Sequence, residues 1–342
     1  MRILVVNPGS SSLKVTLVHD GRAVDDDGGP YDAVGVRFVH GGPDHTEAAL
    51  VDEELLADLD RVSDLAPLHN PPALRAAREL LDRHPGVPVV ACFDTAFHTT
   101  IPAAAATYAL PRAWNERWRL RRYGFHGLSH GWASRRAAEL VGRPVEDLRM
   151  VTCHLGGGAS LCAVRGGRSV DTTMGFTPLE GLVMQTRSGS VDPGLLLHLL
   201  RREGVSPDDL DEALDRESGL RGLSGTSGDF QEVRRARDAG DADAALALDV
   251  YVHRLVREAG AMAAAAGGLD VLVFTGGIGE HAPELRSAVV GSLAHLDVRV
   301  DGRNDTAAGD AVVGDGVVVV EAREDLEIAR QVAALVGGYR RP

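Results

Sequence analysis

The chain has 342 residues, 44% of them apolar and 25% charged, with a formal net charge of −13. That length suggests about two domains, the composition is that of an ordinary soluble globular protein, and the acidic balance argues against nucleic acid or an anionic membrane surface as a partner. A phosphorylated ligand stays open, because a local cluster of arginines can hold one in an acidic protein. Cys92, Cys153 and Cys162 lie in apolar, strand-like runs without metal-ligand spacing, and read as buried thiols in a reducing compartment. The sequence opens directly on a strand, without a signal-peptide pattern. No apolar run approaches the ~20 residues that span a bilayer, so a cytoplasmic protein is expected.

In chain order, residues 3–6 are a short apolar run, followed by a small-residue turn and a strand with Leu13, Val15 and Leu17 alternating. Just after the turn stands Lys14, the single lysine among 36 basic side chains. Lysine is a compact point charge where arginine is a rigid fork, so a lysine that has not become arginine beside such a turn suggests a phosphate at close quarters. A remnant on a strand surface is the plainer alternative. A tight turn leads to residues 21–25, GRAVD. Helices are predicted over 52–61, 71–83 and 128–141, and a buried strand over 87–92. Residues 151–171 then repeat the opening plan: a strand at 151–154, a turn at 156–160, a return strand at 161–164 and GRSVD at 167–171. In this match Ser12 and Leu13 correspond to Ser160 and Leu161. Self-similarity of this kind points to two copies of one supersecondary unit, with two hairpins facing each other across a cleft. Further helices are predicted near 191–203, 208–216, 229–238 and 241–266. The buried strand 271–274 runs into TGGIGE, and a helix follows with Pro283 near its start, where proline is tolerated. The chain closes with a strand over 317–320 and a helix over 324–336 that should pack back on the first domain. The expected domains are therefore 1–149, with 324–342 returning to it, and 150–323.

Glycine turns after strands let backbone N–H groups approach phosphate oxygens. Three occur, at 8–12, 156–160 and 275–279. Two of them hold equivalent places in a repeated unit, which favours nucleotide binding over merely strained hairpins. No GxxxxGK(S/T) and no well-placed GxGxxG is present, which argues against a P-loop or a dinucleotide fold. Polar residues also interrupt apolar stretches. Arg37 sits in an otherwise buried strand, and a buried arginine is costly unless paired. His69 lies in a proline-rigid turn, Asp94 follows a buried strand end, His126 lies in a glycine loop before a helix, and Arg187 sits in a polar loop. Arginines, histidines, one lysine and a few acids suit phosphoryl transfer. A carboxylate acceptor is already ionised at pH 7 and needs no general base; an arginine clamp would orient it.

These residues lie in stretches that resemble the acetokinase family: NPGSSSLK (7–14), VRFVHGG (36–42), LAPLHNPP (65–72), FDTAFH (93–98), RRYGFHGLSH (121–130), CHLGGGAS (153–160), DTTMGFTPLEGL (171–182), TRSG (186–189) and FTGGIGE (274–280). The resemblance covers essentially the whole chain. It implies a duplicated α/β architecture of the actin-like/hexokinase-like ATPase fold, the acetate and sugar kinase superfamily, with two domains around a nucleotide cleft. It implies reversible, Mg²⁺-dependent (or Mn²⁺-dependent) transfer of a phosphoryl group from ATP to acetate, giving ADP and acetyl phosphate, in a homodimer. In this likeness Asp94, His126, Arg187 and Arg37 are catalytic. Arg37, Val39, Leu68, Phe125 and Pro178 bind the acyl substrate. Ser10, Ser12, Lys14, His69, His154, Gly156, Gly157, Gly158, Asp229, Gly277, Ile278 and Gly279 serve the phosphates and nucleotide, and Asn7 and Glu324 the metal. A methylene changes the preference of a small apolar pocket by only ~1–3 kcal/mol, so propionate is an alternative substrate. A nucleotide-binding sensor without catalysis is a further alternative.

The sequence departs from the family pattern at several points. Residues 20–34 are a short Asp/Gly-rich connection where the family usually carries a longer segment. Pro43, Gly157, Gln185, Gln231 and His281 replace the usual residues, and Ala322-Arg323-Glu324-Asp325 replaces Thr-Asn-Glu-Glu. Most of these bear on the nucleotide side, and so on the choice of donor.

Overall fold

A computed structural model describes residues 1–8, 13–66 and 69–337; Ser10, Ser12 and Leu68 lie outside the described residues. The chain forms two compact units. The first comprises Met1–Ile101, Thr107–Trp132 and Ala322–Pro342, and the second Pro102–Ala106 and Ala133–Glu321. The division after Trp132 falls inside the helix Gly127–Val141, not at 149/150 as the sequence reading placed it.

The first unit is built on a six-stranded sheet. Its strands are β1 (Arg2–Pro8), β2 (Leu13–His19), β3 (Arg22–Val24), β4 (Ala33–Phe38), β5 (Ala49–Leu50) and β6 (Val89–Phe93), in the order β3-β2-β1-β4-β6-β5. β1, β4 and β6 run parallel, while β2, β3 and β5 are antiparallel to their neighbours. Both faces of the centre are covered, so β1 is apolar at every position from 3 to 6. Leu4 and Val6 face the helices Glu53–Arg61 and Asn70–Arg83. Ile3 and Val5 face the C-terminal helix Glu324–Gly337 through Ile328, Ala329 and Val332. Asp52 starts the first of these helices by accepting a 2.8 Å hydrogen bond from the Leu55 N–H.

The second unit repeats the plan with seven strands. These are β7 (Arg149–Leu155), β8 (Ala159–Arg165), β9 (Arg168–Thr172), β10 (Val271–Thr275), β11 (Arg299–Val300), β12 (Ala311–Asp315) and β13 (Val317–Val319). Their order is β11-β12-β13-β10-β7-β8-β9. Taken from β9 inwards, it is the order of the first sheet: an antiparallel three-stranded meander, two parallel strands, then an antiparallel edge. The helix Ala242–Ala266, capped by Asp241 and stopped at Gly267 with φ 79°, packs on β7–β9.

The pairing register corrects one sequence-level equivalence. Asn7 faces Lys14 across the first hairpin, and His154 faces Ser160 across the second. Lys14, and not Ser12, therefore corresponds to Ser160, because four residues separate β1 from β2 and three separate β7 from β8. The third glycine segment is also not an open turn. Gly276, at φ 79°, turns the chain sharply, and Gly276–His281 is a short helix.

Candidate active site

Parallel strands deliver functional side chains at their C-terminal ends, and the first unit gathers a cluster there. Arg37, near the end of β4, makes a bidentate contact to Asp94, just past β6: Nε to Oδ1 at 3.0 Å and Nη2 to Oδ2 at 2.6 Å. Its Nη1 donates to Asn7 Oδ1 at 3.1 Å and lies 3.4 Å from Glu324 Oε2. Asn7 Nδ2 donates in turn to Glu324 Oε2 at 3.0 Å. Four side chains from β1, β4, the end of β6 and the C-terminal helix thus form one network.

The pair is shielded, with Arg37 16% and Asp94 1% exposed. Burial alone would lower the Arg37 pKa, but Asp94 and Glu324 outweigh it, and the guanidinium is held well above its ordinary value. Burial pushes the Asp94 carboxyl up, opposed by Arg37 and by the His126 backbone N–H. The fork geometry keeps this an ion pair. Asn7 and Glu324 also line a cavity of about 160 Å³ with Lys14, Thr16 and Asp325. Lys14 is exposed at its rim.

Two loops brace this cluster. His126 has a positive φ of 56°, rare for a residue with a side chain. The next residue, Gly127, donates its N–H to the Asp94 carbonyl at 2.9 Å. A Cβ at Gly127 would lie 2.1 Å from that carbonyl oxygen, so only glycine fits. In the other loop, Asn70 clamps the His40 backbone: its Oδ1 accepts from the His40 N–H at 3.2 Å and its Nδ2 donates to the His40 carbonyl at 2.9 Å. That contact joins LAPLHNPP to VHGG, a link invisible when the two motifs are read separately. His69 stands at the N-terminal end of the same helix, with its N–H bonded to the Ala66 carbonyl at 3.0 Å. Val39 and Phe125 are both buried in this unit, while Pro178 belongs to the second.

In the second unit, Arg187 Nε pairs with Asp215 Oδ1 at 3.0 Å, and Nη1 donates to the Pro178 carbonyl at 3.3 Å. The loop is stitched to residues 214–221 by backbone bonds, among them Ser188 N–H to Leu214 and Ser218 N–H to Thr186. Asp215 was missed by sequence reading, because it is one acid among many between 208 and 217. Gly157 is met by Gln185, whose N–H donates to the Gly157 carbonyl at 3.1 Å. A Cβ at Gly157 would lie 3.1 Å from Gln185 Oε1, so two of the departures from the family pattern touch each other. His154 ends β7 beside Thr275 of β10, and Gly156 N–H bonds the Gly158 carbonyl at 3.0 Å. Gly277 is exposed, Ile278 half-buried and Gly279 buried. Asp229 caps the helix Phe230–Asp238, accepting from the Gln231 and Glu232 N–H groups at 3.1 and 3.0 Å.

Comparison with known proteins agrees with this layout. A model of the acetokinase family matches residues 21–330. The acetate kinase of Leifsonia xyli subsp. xyli is 51% identical over 90% of this chain and 79% of that protein. The crystal structure of Porphyromonas gingivalis acetate kinase superposes with a TM-score of 0.90 at 34% identity, covering 98% of this chain and 99% of that one. A propionate kinase from Francisella tularensis subsp. tularensis superposes with a TM-score of 0.87 at 32% identity, covering 96% of this chain and 98% of that one. The repeated sheets, the motif clusters and these matches together make this chain a member of the acetokinase family.

Proposed function

We propose that the chain transfers the γ-phosphoryl group of ATP reversibly to acetate, giving ADP and acetyl phosphate. The observation that carries this reading is the Arg37 guanidinium, locked on one edge by Asp94 and bordered by Asn7 and Glu324. Acetate is ionised at neutral pH and is a ready nucleophile; it must be oriented and its charge offset. Arg37 supplies both, with Val39 and Phe125 beside the methyl group. One carboxylate oxygen forms a bond to the γ-phosphorus, the bond to the β–γ bridging oxygen breaks, and its electron pair leaves with ADP. No proton moves. Arg187 and His126 stabilise the charge on the transferring group, as arginines do in other phosphoryl transfers. Lys14, Ser10, Ser12, His69, His154 and Gly156–Gly158 serve the phosphates, and Asp229 with Gly277–Gly279 the nucleoside.

The residues present fit Mg²⁺ or Mn²⁺. Among the described residues no cluster of three acidic, His or Cys groups could hold an ion unaided. Mg²⁺ commonly takes one or two carboxylates and completes its shell with phosphate oxygens and water. Glu324, with Asn7 and Asp325 beside it on the wall of the 160 Å³ cavity, offers that donor set. Bound there with nucleotide, the ion would neutralise phosphate charge. Among the described residues no helix is long and apolar enough to cross a membrane; a cytoplasmic homodimer belongs to the same reading.

Hydroxylamine trapping tests it. Enzyme, Mg-ATP and acetate should yield acetyl hydroxamate. Nucleotide binding without hydroxamate from acetate, propionate or butyrate would leave only the sensor alternative. A kcat/KM higher for propionate would move the substrate to propionate, the reading favoured by the propionate kinase superposition. Replacing ATP by GTP or pyrophosphate fixes the donor.

A further inference from the structure

Arg286, in the helix Pro283–Ser292, is only 1% exposed and heads the fully buried side chains by size. Among the described residues it forms no ion pair. A buried guanidinium with no carboxylate in hydrogen-bonding contact is costly unless its donors find other acceptors, and here four of its five N–H groups do. Nη1 donates to the Gly279 and Glu280 carbonyls, both at 2.8 Å. Nε donates to Asn304 Oδ1 at 2.7 Å and Nη2 to the Asn304 carbonyl at 2.8 Å. Asn304, also 1% exposed, donates from Nδ2 to the Pro283 carbonyl at 2.9 Å and to Ser287 Oγ at 3.0 Å. Every acceptor of Arg286 is therefore neutral, and two of them are the carbonyls that close the short helix Gly276–His281.

A helix of that length leaves its last carbonyls without intrahelical partners. Arg286 takes two of them. The other end is fixed by close packing: a Cβ at Gly276 would lie 2.7 Å from the Leu155 carbonyl oxygen. The segment bearing Gly277, Ile278 and Gly279 is thus held at both ends, by contact with the end of β7 and by the guanidinium. An apolar side chain would fill the space of Arg286 without the cost of burying a charge. A lysine ammonium could not span all four oxygens.

We propose that Arg286 is a positioning residue for the nucleotide, fixing the Gly276–His281 segment and so setting nucleotide affinity independently of acetate affinity. This rests on the nucleotide reading of that segment given above. The test uses Arg286→Lys, which keeps the charge and loses the fork, and Asn304→Ser, which keeps the guanidinium and removes its Nε acceptor. Each variant is checked for cooperative thermal unfolding and titrated with ADP alone. The KM values for ATP and acetate are then measured separately. The expected result is an ADP dissociation constant and ATP KM raised about tenfold or more in Arg286→Lys and less in Asn304→Ser, with the acetate KM within about twofold of the parent. Unchanged ADP affinity in either folded variant overturns the proposal while leaving the kinase reading intact. An equal rise in both KM values overturns it too, by showing a general structural role. Parent protein that binds no adenine nucleotide removes both readings together.

Discussion

Arg37 separates charge from geometry at the level of a single residue. Arg37→Lys keeps a cation beside Asp94 but gives up the bidentate fork and the Nη1 bond to Asn7. Acetyl phosphate formation should fall by about 100-fold or more, measured by the hydroxamate rate under saturating nucleotide; a loss under threefold would refute the clamp. Gly127 makes a different demand. With 2.1 Å between an added Cβ and the Asp94 carbonyl oxygen, Gly127→Ala must displace the turn that carries His126. Roughly 1–3 kcal/mol of stability should go with it, read from urea unfolding, and an unchanged midpoint would show that the loop yields freely. Arg37 was legible in the sequence because arginine has no place in an apolar strand unless something pairs with it. Gly127 was not, because its need is set by the Asp94 carbonyl, thirty-odd positions earlier. Leu68, Ser10 and Ser12 are legible only as motif members and lie outside the described residues.

Among the elements, the C-terminal helix does two tasks. Its apolar side closes one face of the first sheet, and its first residue, Glu324, joins the polar network. Gly35 of β4 permits this approach: a Cβ there would lie 2.5 Å from Ile328 Cγ2 and 2.8 Å from Val332 Cγ2. Gly35→Ala should therefore lift the helix and lower turnover along with stability. Gly35→Ala combined with Ile328→Ala should regain part of the lost turnover, giving a non-additive double-mutant cycle. Strict additivity would mean that the helix position does not control Glu324. The element pattern was largely readable in advance, since buried strands and amphipathic helices announce themselves by period. The length of the first hairpin turn was not. Small-residue turns align with one another in more than one way, and only the ladder pairing Asn7 with Lys14 and His154 with Ser160 selects between them.

For the molecule as a whole, acid should be the weak side. His40 and His98 are fully buried, and burial pushes each pKa down to about 4. His40 accepts the Gly42 N–H on Nδ1 at 2.8 Å, and its ring sits against Tyr123 and Phe125. Both folded pKa values lie below the unfolded value near 6.5, so the unfolded chain binds more protons as the pH drops. Their contribution is complete above about pH 6.5 and is lost as the pH falls toward 4, on the order of 3 kcal/mol for each histidine. Urea midpoints measured from pH 7 to pH 4.5 should decline, and the decline should be shallower in His40→Asn with His98→Asn. A flat profile in the parent would contradict the burial of neutral rings. The two-fold repetition behind this architecture was visible in GRAVD and GRSVD, and the return of the helix Glu324–Gly337 to the first domain was expected, whereas its contact with Ile3 and Val5 of β1 appears only once the sheet is formed. That return carries a temporal consequence. During synthesis Asn7 and Arg37 leave the ribosome some three hundred residues before Glu324. The nascent first sheet must wait with one apolar face bare and one carboxylate missing, so competence for phosphoryl transfer would begin only once the helix Glu324–Gly337 has been made.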